Sequence, residues 1–299
     1  SYRRSIFTDR GRIVPAGNTG WQAGVEAVLG EFERRAVPQP AVHYIFHVAH
    51  CGSTLLSRAV DIPDRTLVVR EPFILRQLGA DAARTAAPPG PLWRRCLNLA
   101  TALLGRRFSA DQPVFVKANV PVNFIIDALM SLNPSSTGIL LYAPLDRYLL
   151  SVLKTPMHRR WVDNVTAQLD AGIAAALGAG AVDLSGLTTA QRAGCLWFAQ
   201  MRLYQGALAR HERLRSLDCE RFFADPAAAL TAALRLAGDD PDEALIAGIV
   251  GGDLFRRHAK DPGRPFDAGA RDEEMEALAD NLAQEVETAA RLVLSLIHI

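Results

Sequence analysis

A short strand–turn–helix stretch constrains the fold more than any other part of the chain. The apolar run at residues 44–48 predicts a buried strand, and residues 55–60 predict a helix. Gly52, Ser53 and Thr54 form the turn between them. Such a turn binds anions, because the N–H groups at a helix start lack intrahelical partners and the helix dipole adds positive charge. Gly52 lets the backbone approach an anion, and the two hydroxyl groups add donors.

This turn is not a Walker A loop, which needs two glycines followed by Lys and a hydroxyl residue. The stretch has one Gly and no Lys. Its shorter pattern resembles the 5′-phosphosulfate loop of sulfotransferases, enzymes that use 3′-phosphoadenosine 5′-phosphosulfate (PAPS) as donor. The resemblance implies that Cys51, Gly52, Ser53 and Thr54 bind the 5′ end of PAPS. The alternative is an ordinary strand-to-helix turn capped by Ser53 or Thr54.

Later segments resemble the same family in the same order. Arg70-Glu71-Pro72 follows a second apolar strand, as it often does in bacterial sulfotransferases. Residues 114–119 resemble the family's Lys-Thr-Pro-type segment, and residues 139–151 resemble its 3′-phosphate-binding segment. Residues 217–226 resemble the late strand that leads into an Asp-Pro helix start. Each piece is short, and their order along the chain is what makes the resemblance specific.

Three residues are candidates for catalysis. Glu71 follows a parallel strand, where α/β proteins place ligand sites, and a carboxylate there can take a proton from an acceptor hydroxyl. Its alternative is a structural ion pair with Arg70 or with a neighbouring helix. His50 occupies the position where the resemblance implies a Lys or Arg that stabilises charge on the leaving oxygen. Lys117, at the end of another strand, can supply that charge, or it is simply a solvated or ion-paired Lys.

Four further residues are candidates for donor binding. Arg147 and Ser151 lie four apart on a predicted helix and therefore share a face that can hold the 3′-phosphate. The Arg that is usual in the family aligns with Ala143, so Arg147 would have to replace it. Lys260 and Arg264 lie in a basic Gly/Pro loop that can close over the donor, the alternative being a solvated surface loop.

The order of the predicted elements defines the fold class. Apolar strands alternate with helices over residues 44–153, which indicates a parallel sheet covered on both faces by crossover helices. We therefore expect an α/β, P-loop-like, three-layer αβα fold with a central parallel sheet. A helical insertion at about 157–213 is expected to cover the active-site edge, unless it simply packs on the sheet. Residues 1–40 are expected to be peripheral with one helix, and residues 41–299 to form one domain with a C-terminal helix at about 271–296.

Composition excludes several classes of protein. Hydrophobic residues make up 49% of the chain and charged residues 22%, which predicts a packed core rather than disorder. The net charge of +1 gives no bulk reason to expect nucleic-acid or membrane partners. The four Cys are scattered, which fits a reducing compartment. No apolar stretch reaches the roughly 18 residues of a spanning helix, so a cytoplasmic location is expected.

A cluster of histidines near Cys51 raises the question of a zinc site. On a strand, His43 and His47 lie about 13 Å apart at ~3.3 Å per residue. Zinc–nitrogen bonds are only about 2.0–2.1 Å long, so one ion does not reach both rings. No metal is therefore expected.

Together these patterns predict a PAPS-dependent sulfotransferase that transfers a sulfuryl group to a hydroxyl or amine. PAPS is then the co-substrate, and the acceptor is a small molecule or a saccharide. Two alternatives stay open: a P-loop small-molecule kinase or other nucleotide enzyme, and a non-catalytic, sulfotransferase-like nucleotide-binding protein. The patterns indicate neither a particular acceptor nor an oligomeric state.

Overall fold

A computed structural model of the chain describes residues 23–84, 89–178, 182–258, 261–265 and 268–297. Its centre is a five-stranded, all-parallel sheet with strand order β2-β3-β1-β4-β5. These strands are β1 His43–His47, β2 Leu67–Arg70, β3 Val114–Lys117, β4 Thr137–Tyr142 and β5 Leu214–Asp218. Every residue of β1, β2 and β3 is buried, as expected for a parallel sheet covered on both faces.

Fourteen α-helices surround or extend this sheet in the described part of the chain. They are α1 Val25–Arg34, α2 Ser53–Ala59, α3 Phe73–Ala82, α4 Pro91–Leu104, α5 Ile126–Leu132, α6 Leu145–Leu153, α7 Pro156–Gln168, α8 Asp170–Leu177, α9 Thr189–Arg210, α10 Cys219–Ala224, α11 Pro226–Leu236, α12 Glu243–Val250, α13 Asp253–Arg256 and α14 Ala268–Ile297. The described residues also form two 3-10 helices, Val120–Ile125 and Leu184–Gly186, and an antiparallel pair, β6 Arg257–His258 and β7 Asp261–Pro265. The α/β class, the central parallel sheet and the three-layer αβα arrangement are confirmed.

The strand order predicts a ligand site at the carboxyl ends of the central strands. β3 and β2 lie on one side of β1, and β4 and β5 lie on the other, so the crossover from β1 to β2 runs toward one edge of the sheet and the crossover from β3 to β4 runs toward the other. In open α/β sheets, ligands bind outside the carboxyl ends of strands near such a reversal. The turns that follow β1, β2 and β3 therefore meet at one edge.

The region predicted as a helical insertion contains α7, α8 and α9. α7 begins at Pro156, whose fixed φ suits the first helical position, and the Thr155 hydroxyl accepts a hydrogen bond from the His158 N–H at 3.3 Å. α9 begins with a capping box formed by Thr188 and Gln191. α14 packs against α6 and α9. None of the helices among the described residues has the length and apolarity to cross a membrane.

The sequence also predicts a helix at residues 122–132, and the structure differs from this prediction in detail. Its first part is the 3-10 helix Val120–Ile125, and α5 begins only at Ile126. Pro121 suits the start of such a turn, and Ile125 leaves the helical region at φ −125° and ψ 20°. The peripheral helix predicted near the N-terminus is α1, and the part of that segment before residue 23 lies outside the described residues.

Candidate functional site

A cavity of about 640 Å³ lies at the carboxyl ends of β1, β2 and β3. One wall comes from the turns after these strands, and the facing wall comes from α7. The lining residues are His47, Ala49, His50, Ser53, Glu71, Arg76, Lys117, Asn119, Val120, Pro121, Met157, His158, Arg160, Trp161, Asn164, Val165 and Gln168. The three residues predicted for catalysis, Glu71, His50 and Lys117, are all among them.

Glu71 and Lys117 form an ion pair inside this cavity. In the parallel register Arg70 lies opposite Lys117, so Glu71 is the first residue past the end of β2. Its N–H donates to the Lys117 carbonyl at 2.7 Å, and its backbone then turns into the left-handed region at φ 49°. That conformation is costly for a residue with a Cβ and is concentrated at functional sites. It ends the strand where the carboxylate meets Lys117.

Two further side chains surround this pair. The Lys117 ammonium lies 3.4 Å from the Thr54 hydroxyl, which comes from the first turn of α2. The His47 Nε2 lies 3.8 Å from the Glu71 carboxylate, while its Nδ1 accepts the Ala49 N–H at 3.0 Å. Because Nδ1 is an acceptor, the neutral ring carries its proton on Nε2, toward the carboxylate. Four groups, from β1, α2, β3 and the turn after β2, thus converge on one point.

The ion pair of Glu71 with Arg70, considered from sequence, is not observed. Arg70 instead pairs with Asp61, and both side chains are almost completely buried. The structure therefore assigns the two neighbouring residues to separate environments. Arg70 belongs to the packed interior, whereas Glu71 keeps 17% of its side chain exposed at the cavity.

The turn after β1 is conformationally strained. Ala49 has φ 75° and His50 has φ 52°, and both are non-glycine residues in the left-handed region. Gly52 follows at φ 80°, where a Cβ would lie 2.8 Å from the Phe223 ring. Glycine is therefore required here for its backbone conformation and for the close packing of α10. Strain of this kind costs of order 1–3 kcal/mol per residue and accompanies ligand-binding turns.

The residues predicted for the 5′ end of the donor divide into two groups. Ser53 lines the cavity, and Thr54 contacts the Lys117 ammonium. The Cys51 side chain is fully buried with its thiol 3.6 Å from the Leu141 carbonyl, and burial raises the pKa of this thiol to about 11. Cys51 and Gly52 can therefore contribute to a ligand only through their backbone. Donor binding by this turn stays a prediction.

The imidazole of His50 packs against α7. Its ring centroid lies 4.7 Å from that of His158 and 5.6 Å from the Trp161 ring, in edge-on geometries. His158 is held in turn by a hydrogen bond of 2.5 Å between its Nδ1 and the Thr155 hydroxyl. His50 therefore lines the cavity and contacts the facing helix at the same time. Its predicted electrostatic role is not tested by this arrangement.

The predicted 3′-phosphate residues lie elsewhere. Arg147 and Ser151 share a face of α6, as expected, and neither belongs to the lining of the cavity. The same face continues to Lys154, whose ammonium lies 3.7 Å from Glu274 of α14. At the end of β4, Ala143 is buried and its carbonyl accepts the Trp197 indole N–H at 2.9 Å. The structure does not bring Arg147 and Ser151 next to Glu71, and their role stays a prediction.

The basic loop predicted to close over the donor is only partly described. Lys260 lies outside the described residues. Arg264 lies in β7, which pairs with β6 in a separate two-stranded sheet. Their proposed contact with the donor stays a prediction.

Although the helical insertion at about 157–213 was expected to cover the active-site edge, sequence reasoning identified no individual residue of α7 or α3 as lining the cavity. His158, Arg160, Asn164 and Arg76 line it without having been singled out. The available signal was the four-residue spacing of Trp161 and Val165, which also fits a packed core. In the part of the chain that the structure covers, no group of three His, Cys, Asp or Glu side chains is arranged for a metal ion.

Comparison with solved structures identifies the fold. The chain is similar to a sulfotransferase domain from the curacin biosynthetic pathway, with a TM-score of 0.51 and 14% identity over 82% of this chain and 98% of that one. It also matches a sulfotransferase from Alicyclobacillus acidocaldarius at a TM-score of 0.41, 14% identity, and 85% and 96% coverage. No family model and no curated protein sequence matches. The resemblance to sulfotransferases is therefore confirmed at the level of the fold.

Proposed function

We propose that the protein is a sulfotransferase that moves a sulfuryl group from PAPS to a hydroxyl or amine of a small-molecule or saccharide acceptor. The observation that carries this proposal is the convergence of Glu71, Lys117 and His47 in one cavity of a sulfotransferase-like fold, with the Thr54 hydroxyl against the Lys117 ammonium. The cavity supplies a carboxylate and a buried cation at the same point. Transfer of a sulfuryl group needs both a proton acceptor and a charge to meet the leaving oxygen.

In the proposed reaction, the acceptor oxygen attacks the sulfur of PAPS as the bond from sulfur to the 5′-phosphate oxygen breaks. The acceptor proton passes to the Glu71 carboxylate, and the electron pair of the broken bond stays on the released adenosine 3′,5′-bisphosphate. Lys117, held between Glu71 and Thr54, is placed to stabilise that leaving charge. His50 adds a donor from the strained turn.

The donor-binding half of this proposal rests on the turn at Cys51 to Thr54. Three positive φ values in and just before this turn direct its backbone away from regular strand geometry immediately before α2. The Ser53 side chain lies at the cavity, so a donor bound along the turn places its sulfuryl group toward Glu71. The outer residues Arg147, Ser151, Lys260 and Arg264 are proposed to hold the remainder of the donor.

A thermal-shift comparison tests the donor class. Adenosine 3′,5′-bisphosphate is expected to raise the melting temperature more than ATP with magnesium. A ligand that binds only the native state adds about 2.7 kcal/mol at one hundred times its dissociation constant. A clear shift with ATP and none with millimolar bisphosphate contradicts the proposal and favours a kinase-type nucleotide enzyme.

Turnover with labelled PAPS and a panel of hydroxyl and amine acceptors tests the transfer itself. Label is expected to appear on an acceptor without added metal. Tight bisphosphate binding with no transfer to any acceptor identifies instead a non-catalytic nucleotide-binding protein.

A further inference from the structure

The charges that line the cavity are unbalanced. Among the described residues, its lining carries three cationic side chains, Arg76, Lys117 and Arg160, against the single carboxylate of Glu71. Glu71 is already paired with Lys117. The guanidinium groups of Arg76 and Arg160 are therefore an excess of positive charge, and a concave site concentrates the field of such charges.

These two arginines differ from their neighbours in having no anionic partner among the described residues. Arg76 lies on α3 and Arg160 on α7, both exposed, and neither forms an ion pair or a side-chain hydrogen bond there. Arg159, the residue next to Arg160, shows the contrast. Its guanidinium is bound by both oxygens of Glu285, at 2.7 and 2.9 Å, and it also donates to the Leu153 carbonyl. Arg159 stabilises the fold, whereas Arg160 is left facing the cavity.

Part of the remaining lining is apolar. Val120, Pro121, Met157, Trp161 and Val165 contribute to the same walls. Met157 is 73% exposed, so its thioether is available at the surface of this site. A ligand that uses these walls has an organic body, and a ligand that uses the two guanidinium groups has a negative charge.

We propose that the acceptor of this enzyme carries a carboxylate or phosphate group in addition to the hydroxyl or amine that is sulfated. The inference rests on the proposed function and concerns the acceptor half of the same cavity. Arg76 and Arg160 bind the anionic group, because guanidinium matches the two oxygens of a carboxylate or phosphate in a bidentate geometry. This carboxylate or phosphate of the acceptor is distinct from the transferred sulfuryl group, which meets Lys117 at the inner end of the cavity.

Binding of two matched probes tests the inference without requiring turnover. 3-Phenylpropionate and its neutral amide, 3-phenylpropanamide, are titrated by ligand-observed NMR at low salt. The acid is expected to bind about tenfold more tightly than the amide. In Arg76→Gln/Arg160→Gln this preference is expected to disappear, while binding of the amide changes little.

A second double variant controls for the loss of charge alone. Arg94→Gln/Arg202→Gln also removes two positive charges, but from exposed positions on α4 and α9 that do not line the cavity. It is expected to keep the preference for the acid. Equal binding of acid and amide by the unmodified protein overturns the inference. So does a preference for the acid that survives in Arg76→Gln/Arg160→Gln.

The test is separable from that of the proposed function. Binding of adenosine 3′,5′-bisphosphate, measured on the same samples, reports on the donor site and is expected to be the same in both double variants. Loss of the acid preference with no bisphosphate binding in any sample supports an anion-binding cavity and contradicts the sulfotransferase proposal. Bisphosphate binding with no acid preference overturns only the inference about the acceptor.

Discussion

The Glu71 carboxylate and the Lys117 ammonium pair across the carboxyl ends of two neighbouring strands, and they differ in exposure. Lys117 is 1% exposed, whereas Glu71 keeps 17% of its side chain exposed. Both side chains line the cavity, and the ammonium lies deeper in it than the carboxylate. In the proposed reaction the more exposed Glu71 meets the acceptor proton, and the buried Lys117 meets the leaving charge.

Replacing Glu71 by Gln is expected to remove most turnover and to leave donor binding largely intact. The amide keeps the size of the side chain but cannot accept a proton, and loss of a general base typically costs 10²–10⁴-fold. Turnover of PAPS and affinity for adenosine 3′,5′-bisphosphate are measured side by side. Glu243→Gln, at an exposed position on α12, is the control. Normal turnover in Glu71→Gln would assign Glu71 a structural role only.

The ion pair is expected to show strong coupling in a double-mutant cycle. Glu71→Gln and Lys117→Met each leave one charged partner in a largely buried place, so each is expected to lower the free energy of unfolding by about 2–4 kcal/mol. The double variant leaves no unpaired charge and is expected to lose at least ~1 kcal/mol less than the sum. Urea denaturation measures all four proteins. Simple additivity would show that the two groups do not stabilise one another.

The site residues that follow predicted strands could be identified from sequence. Glu71 and Lys117 each follow an apolar run, and parallel strands bring such ends to one edge of the sheet. The position of each residue along its own strand was therefore enough to place both in one cavity. Their direct pairing was not predictable in the same way, because it depends on β2 and β3 being neighbours and on the left-handed backbone of Glu71.

The particular residues of α7 that line the cavity could not be predicted from sequence. Trp161 and Val165 recur at a helical spacing that fits a packed core as well as a cavity wall, and both line the cavity. Arg160 lies beside Arg159 in the sequence, and only the tertiary structure separates the one bound by Glu285 from the one at the cavity. The spacing of apolar residues predicts which of them share a helix face. Long-range packing decides whether that face meets the core or a cavity.

His50 is expected to make donor affinity dependent on pH. Protonation of its imidazole adds a positive charge at the cavity, so affinity for an anionic donor strengthens as pH falls and weakens as pH rises. His50→Arg is expected to keep binding and to flatten this dependence, because guanidinium stays charged. His50→Ala is expected to weaken binding and also removes the ring contacts with His158 and Trp161. Calorimetric titration of adenosine 3′,5′-bisphosphate at several pH values measures the effect.

The outcome separates two roles for this side chain. If His50→Ala binds the bisphosphate as tightly as the unmodified protein at every pH, the imidazole serves only to pack against α7. Stabilisation of the leaving charge then belongs to Lys117 alone.

Gly52→Ala is expected to destabilise the protein by about 2–4 kcal/mol, for two separate reasons. A residue with a Cβ pays roughly 1–2 kcal/mol for the left-handed conformation, which Gly52 adopts at φ 80°. The new Cβ would also lie 2.8 Å from the Phe223 ring, which must shift. Thermal and urea unfolding measure the loss.

Two other glycines separate these contributions. Gly238 has φ 82°, and no atom lies within 4 Å of the position that an added Cβ would take, so Gly238→Ala is expected to show the conformational cost alone. Gly30 lies in α1 with equally open surroundings, and Gly30→Ala is expected to stabilise the helix by about 0.5–1 kcal/mol. A loss in Gly52→Ala no larger than that in Gly238→Ala would show that contact with Phe223 costs nothing.

His43 is expected to make the fold less stable as the pH falls from 6.5 toward 4. Burial, assisted by the positive charge of Arg107, lowers the pKa of His43 from 6.5 to about 4 in the folded protein. The unfolded chain takes up this proton first, so the free energy of unfolding decreases through that window, by up to about 3 kcal/mol at 1.36 kcal/mol per pKa unit. His43→Asn does not titrate there, and its stability is expected to fall less between pH 7 and pH 4.5 in urea denaturation. Because both proteins share all other titrating groups, parallel losses would show that His43 is not the group responsible.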